Sequence, residues 1–472
     1  MAELHDLTAL EQGEAIRRRE VSPVEMVEHY LERVSRLSDS VGAFVTVTDE
    51  LARKQALLAG SRSPDERVPP LCGVPTAVKD LNSTAGIRTM FGSATMADFV
   101  PDVSDEVVLR METAGLVSLG KTNTPEFGSP CYTEPDVAPP ARTPYDLDRM
   151  AGGSSGGAAA SVAAGLVPFA HGSDGGGSIR IPASCCGIFG FKPSRGRVSG
   201  APMYGDPVGL GTSGPLARTV RDAAALLDVM AGPAVGDPFW AAPLPDGESY
   251  LTSCDREPRR LRIAAFAEPV IADAPVHREC RTGYDDAARL LGSLGHDVEE
   301  VEVPIPAEAA ATFETCWAVL TALTVVPADR EHQLRPLTRW LMERGRAVSG
   351  PEFGLALGEL RRIAASALTM LAPYDAVLTP TLAQPPLRIG AIRDDADPAR
   401  DFENQKAFTP YTSAWNVTGM PAASLPLHWT ADGLPVGVML AGRPGEDHRL
   451  LALCAQVEAA TPWRGSRPPC WA

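Results

Sequence analysis

Apolar positions recur along this chain with two different periods. After Ser22-Pro23-Val24-Glu25, the residues Val24, Val27, Leu31 and Val34 fall at three- and four-residue intervals. That spacing predicts an amphipathic helix over about 23–37, opened by a capping box with proline in its first turn. Leu71-Cys72-Gly73-Val74-Pro75-Thr76-Ala77-Val78 is instead a short unbroken apolar run and predicts a buried strand that delivers Lys79 and Asp80 at its end. A capped helix over Ser104–Ala114, closed by Gly115, leads into a strand over Leu116–Gly120.

The same alternation continues. Alanine dominates 158–165 and predicts a closely packed helix, followed by a strand at Val167–Ala170. Thr219-Val220-Arg221-Asp222 caps a helix over 223–231 that Gly232-Pro233 stops, and strands at 261–266 and 298–303 flank a helix over about 280–294. Further strands are expected at 375–380, 422–427 and 434–440, with surface connections in the polar stretch 61–70 and the proline-rich stretches 233–247 and 380–388. The sum is α/β: a large mixed β-sheet covered on both faces by α-helices.

Composition narrows the class. At 472 residues the chain is long for one domain, but no linker or internal repeat interrupts it. Hydrophobic residues make up 44% and charged residues 22%, close to ordinary folded proteins, so disorder is excluded. A net charge of -16 without any run of Lys and Arg argues against a nucleic-acid partner. The nine cysteines form no C-x-x-C pair, and no zinc or redox centre, and no cofactor, is expected. Met1–Asp6 has neither a basic nor an apolar leader segment, and the most apolar window, 156–170, is too short and too small-residue-rich to cross a bilayer. A cytoplasmic protein without membrane partners is the expectation.

The chemistry gathers in two glycine loops. Gly152-Gly153-Ser154-Ser155-Gly156-Gly157 and Gly175-Gly176-Gly177-Ser178-Ile179-Arg180-Ile181-Pro182 place serines in backbone stripped of side chains, where a substrate carbonyl can reach main-chain N–H groups. The first loop formally satisfies G-x-S-x-G, an α/β-hydrolase elbow with Ser154 as nucleophile, but the preceding Tyr145–Met150 is polar where an elbow needs a hydrophobic strand. No lysine follows the glycines as a phosphate loop requires. A serine needs a neighbour to take its proton, and none of the eight histidines lies inside the two loops. His171, seven residues before Ser178, reads as a structural histidine.

The order Lys79, Ser154-Ser155, Ser178, with Ser173-Asp174-Gly175-Gly176-Gly177-Ser178-Ile179-Arg180-Ile181-Pro182 and the trailing Cys186–Ser194, resembles the amidase-signature family of amide hydrolases. Gly120–Glu126 and Asn416–Ala422 are similar to family segments too, so the resemblance covers most of the chain. It implies one domain over 1–472, with a core at about 70–200 and pocket-forming insertions at about 200–415. It also implies Ser178 as nucleophile, Ser154 as a bridging serine on a cis peptide, and Lys79 as base, made neutral by burial. Gly175, Gly176, Gly177 and Ser178 would then offer N–H groups to an oxyanion, while Ser155, Asp174 and Arg180 would order the loops. Cys131 and Cys316 are the expected pocket cysteines, in lining segments at about 126–132, 200–212, 316–325 and 380–415.

Ser-Asp-Gly-Gly-Gly-Ser, where the glutaminase subunit of tRNA-dependent amidotransferases usually has Thr-Asp-Thr-Gly-Gly-Ser, points to the aryl acylamidase, urethanase and nylon-oligomer hydrolase members. The expected substrate is a small uncharged amide or carbamate, and the expected assembly a monomer or homodimer. The amidotransferase subunit and the Ser154 esterase are the alternatives.

Overall fold

The computed structural model describes residues 3–61 and 69–471; most of the polar stretch expected at 61–70 lies outside them. Eight strands form one mixed sheet, in the spatial order Asp297–Glu300, Arg262–Ala265, Ala376–Pro380, Pro435–Gly442, Ala422–Trp429, Phe189–Lys192, Thr212–Ala217, Phe169–Asp174. Only the first three of these run parallel to their neighbours within that group; every later pairing is antiparallel. Alternate residues feed two layers, because side chains on a strand point to opposite faces. Val438 and Leu440 pack with Leu227, Leu291 and Leu451, whereas Met439 and Ala441 pack with Ile363, Ala367 and Trp415. The helices Val220–Met230, Arg278–Ser293 and Asp447–Ala460 thus cover one face, and Gly350–Leu371 part of the other.

A second, three-stranded sheet holds Phe44–Val47, Val117–Thr122 and Pro75–Lys79 in that order. Its edge strand Pro75–Lys79 lies against Phe169–Asp174, the edge of the large sheet, through Thr76 Oγ1 on the Phe169 carbonyl at 3.4 Å and the Lys79 N–H on His171 Nδ1 at 3.3 Å. The mixed sheet clad in helices is the expected architecture.

Most expected elements are present with shifted ends. The helix expected over 23–37 runs Pro23–Val41, capped by Ser22, since Gly42 with φ 60° is what stops it. The strand expected over 71–78 is Pro75–Lys79, and that at 167–170 is Phe169–Asp174. One expectation holds only at its far end: in the stretch 380–388 the residues Pro380–Ala383 are buried, Leu382 in one cluster with Cys131 and Ile181, whereas Arg388 is exposed. Proline there ends a central strand instead of marking solvent.

The four helices Ala309–Ala322, Pro336–Ala347, Gly350–Leu371 and Pro398–Phe408 were not legible from the apolar pattern. Ala309–Ala322 faces both a core and a cavity, so its apolar residues spread around the axis and blur the 3.6-residue period. No helix among the described residues is long and apolar enough to cross a membrane.

The first glycine loop feeds Gly156–Ala163, every residue of which is buried. A Cβ on Gly157 would lie 2.4 Å from the Asn123 backbone nitrogen and 2.5 Å from the Ala43 carbonyl oxygen. Alanine is the better helix former by about 0.5–1 kcal/mol, but neither backbone neighbour can yield, so the clash decides. Gly157→Ala is expected to lower stability by about 1–3 kcal/mol in urea denaturation; an unchanged or raised midpoint would show that this loop can open.

Candidate active site

Lys79 closes its edge strand with its side chain fully buried, and Nζ sits 2.8 Å from Ser154 Oγ and 3.1 Å from the Ser173 carbonyl oxygen. Burial pulls its pKa from the ordinary lysine value down to about 7, against the opposing charge of Asp174. A neutral amine has one lone pair and two N–H bonds, enough to accept the Ser154 hydroxyl proton while donating to Ser173. Lys121 and Lys192 are equally buried, but Lys121 Nζ bonds Asn82 and Thr89 and Lys192 Nζ bonds the Pro193 carbonyl. Among the described residues, Lys79 is the lysine that touches a glycine-loop serine.

Ser154 follows a cis Gly153–Ser154 peptide, and its carbonyl accepts from Thr124 Oγ1 at 2.9 Å. The elbow reading of this loop does not survive the fold. The strand before it, Asp146–Met150, pairs with Arg142–Thr143 in a two-stranded ribbon and bridges to Arg388, apart from the main sheet, and the hydroxyl's partner is a lysine. Ser155 turns away, its Oγ donating to the Ser173 carbonyl at 3.1 Å, while its N–H reaches the Ser178 carbonyl at 3.2 Å. The two loops are thereby laced together.

The second loop leaves the end of Phe169–Asp174 and enters the helix Arg180–Cys186. Its shape is fixed from below by Asp174, whose two carboxylate oxygens accept the N–H groups of Gly177 at 2.7 Å and Ile179 at 3.1 Å and both Nε and Nη2 of Arg180 at 3.0 and 2.9 Å. Burial alone would raise the Asp174 pKa, but the Arg180 charge and these donors outweigh it and hold the carboxyl well below the usual range. Arg180 continues to the Thr412 carbonyl and Asn416 Oδ1, both at 2.7 Å, and Thr412 Oγ1 holds the Gly176 carbonyl at 2.6 Å. Gly177, at φ 140°, would put a Cβ 2.3 Å from Thr412 Oγ1, so only glycine fits.

That network corrects one expectation. The Gly177 N–H is already spent on Asp174, whereas those of Gly175, Gly176 and Ser178 meet no acceptor among the described residues. A Cβ on Gly175 or Gly176 would meet only the Trp317 ring, at 3.6–3.9 Å apart from Phe313 at 3.8 Å, so these two glycines border open space. The Ser178 hydroxyl makes no hydrogen bond among the described residues and borders the same cavity as Ser154. Serine as a mere helix cap is set aside, since the helix Arg180–Cys186 has no side-chain cap.

His171 is structural. Its buried ring accepts the Lys79 N–H at Nδ1 and meets Ser213 Oγ at 3.0 Å through Nε2, and burial, helped by the Lys79 charge, pushes its pKa down to about 3. It covers the N–H of an edge strand and does not reach Ser178.

Cys131 borders the cavity beside Ser178, its N–H on Gln405 Oε1 at 3.1 Å. Cys316 does not: it is wholly buried in a cluster with Val208, Leu210 and Val417. Consecutive helical residues lie about 100° apart, so the neighbour, Trp317, faces the cavity and Cys316 faces the core. Phe313, Glu314 and Trp317 are the residues of that segment that border the cavity, and their i, i+1, i+4 spacing was the available signal. Among the described residues, the metal-competent cluster is Glu3, His5 and His29, none of which borders this site.

The family model described as Amidase matches residues 25–451. The chain belongs to the amidase family. A putative amidase of Synechocystis sp. is 37% identical over 458 residues, covering 96% of this chain and 88% of that one. The solved structure of a 6-aminohexanoate cyclic dimer hydrolase superposes with a TM-score of 0.91 at 32% identity, over 100% of both chains. A bacterial aryl acylamidase of the amidase-signature enzymes superposes at 0.88 and 28%, over 98% of both. The protein is an amide hydrolase of this class, acting on carbon–nitrogen bonds.

In this amidase the Asp174–Arg180 pair is buried on every side. Asp174→Ala would leave an uncompensated guanidinium and is expected to cost about 3–5 kcal/mol, read as a lowered midpoint in chemical denaturation. A loss below about 1 kcal/mol would mean that Asn416 and Thr412 hold the loop unaided.

Proposed function

We propose that this amidase hydrolyses small, largely uncharged amides, anilides foremost and carbamates by the same carbonyl geometry, through an acyl-enzyme on Ser178. The observation that carries the reading is the 2.8 Å contact of a fully buried Lys79 Nζ with Ser154 Oγ. Ser178 and Ser154 border one cavity, as a proton relay between them requires. As Ser178 Oγ bonds to the substrate carbonyl carbon, its proton passes to Ser154 Oγ, and the Ser154 proton passes to Lys79. The N–H groups of Gly175, Gly176 and Ser178 take the oxyanion, a role worth about 10²–10³ in rate per donor. Collapse breaks the C–N bond while Lys79 returns its proton through Ser154 to the departing nitrogen. Water then repeats the sequence in place of Ser178 and releases the acid.

The glutaminase alternative is disfavoured because the stretch 351–372, where the resemblance would place a basic segment for glutamine, holds only the basic residues Arg361 and Arg362, which are exposed and border neither cavity beside Ser178. Likeness to an aryl acylamidase and a cyclic-amide hydrolase supports neutral amides instead.

Ser178→Ala should abolish the mass adduct left by a fluorophosphonate, and the wild-type chain alone should release p-nitroaniline from neutral anilides. Glutamine hydrolysis without anilide, amide or carbamate turnover would sink the substrate reading.

Lys79 generates a pH prediction. Only the neutral amine accepts a proton, and its pKa is about 7, so kcat/KM should rise with pH through about 7 and level off above. Lys79→Ala should remove that ionisation and lower anilide hydrolysis by roughly 10²–10⁴-fold with unchanged circular dichroism. An activated ester should lose less, because its leaving group departs without a proton. A wild-type pH profile in the variant would overturn the assignment.

A further inference from the structure

Two cavities meet at Ser178, and one helix walls both. The first is bordered by Cys131, Gly176, Ile181, Phe313, Glu314 and Phe402 among others. The second is bordered by Leu81, Ser154, Gly175, Leu210, Leu320 and Thr321 among others. Ser129, Ser178 and Trp317 border both, and the Trp317 indole N–H donates to Ser129 Oγ at 3.3 Å. Phe313, Glu314, Trp317, Leu320 and Thr321 all come from Ala309–Ala322. Positions 313, 317 and 320 share a helix face, and Trp317 stands between the ends of that face as a septum.

The position of Ser154 sets the polarity of the site. On the serine mechanism proposed above, on which this inference rests, Ser154 hands the proton to the departing nitrogen, and Ser154 borders the second cavity alone. We propose that the helix Ala309–Ala322 sets specificity on both sides of the scissile bond: its Phe313 end shapes an acyl pocket, its Leu320 end an amine pocket.

The charges of the first cavity define the acyl class. Glu314 is paired with Lys406 and Arg344, and Lys406 also with Glu403 at 2.7 Å, two acids against two bases. The cluster is satisfied within itself and offers no unpaired charge to a substrate. Ile181, Phe313, Trp317 and Phe402 make the apolar part of the remaining wall, and its polar members, Ser129, Gln405, Thr409 and Ser413, carry no charge. An acyl group ending in a carboxylate or ammonium would lose hydration without gaining a partner, so the pocket takes uncharged aryl or aliphatic acyl groups.

Phe313→Ala and Leu320→Ala form a matched pair, both half-buried on one helix. Anilides and p-nitrophenyl esters of one acid pass through the same acyl-enzyme, so deacylation reports the acyl pocket alone. Phe313→Ala should shift the benzoyl-to-acetyl preference and the deacylation constant by about ten-fold or more, and keep the ranking of amines within about two-fold. Leu320→Ala should change the amine ranking about ten-fold and keep the deacylation constant within about two-fold. In the wild type, which needs no variant to fold, acyl groups with a terminal charge should react at least about ten-fold more slowly than neutral isosteres. The reversed pattern, mixed effects in both variants, or equal turnover of charged acyl groups overturns the assignment while leaving the serine mechanism standing. Failure of the wild type to form any adduct on Ser178 overturns that mechanism and this inference with it.

Discussion

The buried pair of Asp174 and Arg180 is the interaction on which the site depends. Taking two such ions out of water costs several kcal/mol each, and their attraction alone does not reliably offset that. Here every lone pair that Asp174 presents is used, by two backbone N–H groups, two guanidinium donors and Asn416 Nδ2 at 2.9 Å. Arg180 in turn holds Thr412 and Asn416, and Asn416 reaches the Leu210 carbonyl at 3.1 Å. A strand end, a helix start, a distant segment at 412–416 and the cavity wall at 210 are thus tied to one carboxylate. The pair gives geometry where it gives little net stability: it consumes the Gly177 N–H and leaves those of Gly175, Gly176 and Ser178 without an acceptor among the described residues.

Lys79 depends on a different economy of the same interior. Two edge strands, one from each sheet, close over it, and His171 satisfies the backbone N–H that such an edge would leave bare. With the edges joined, water is excluded and the charged amine is disfavoured. The histidine that invited a Ser-His reading therefore serves the lysine by sealing it.

Local patterns carried a definable share of this protein. Ser22 with Glu25, and Thr219 with Asp222, mark helix starts because a cap is made within one turn, and the apolar runs before Lys79 and around 438 mark strands because burial on both faces removes polar residues. The helices Ala309–Ala322 and Pro398–Phe408 escaped because they divide their faces between core and cavity. At 380–388 proline suggested surface, yet 380–383 lie buried, since a strand in mid-sheet can end inside a large protein.

For the site, sequence alone determined which residues have the required chemistry: a lysine after an apolar run, serines among glycines, an acid and an arginine flanking them. It also carried the family, because those motifs are long. What only the tertiary structure decided is which of them touch. Lys79 and Ser154, 75 positions apart in the chain, come within 2.8 Å, and Thr412 reaches the Gly176 carbonyl from 236 positions away. The choice of Trp317 over Cys316 for the cavity, and the loss of Gly177 from the free donors, follow from helix phase and from one carboxylate's position. Side-chain identity is written in the chain, but proximity and orientation are set by how whole layers pack, and no local pattern encodes that.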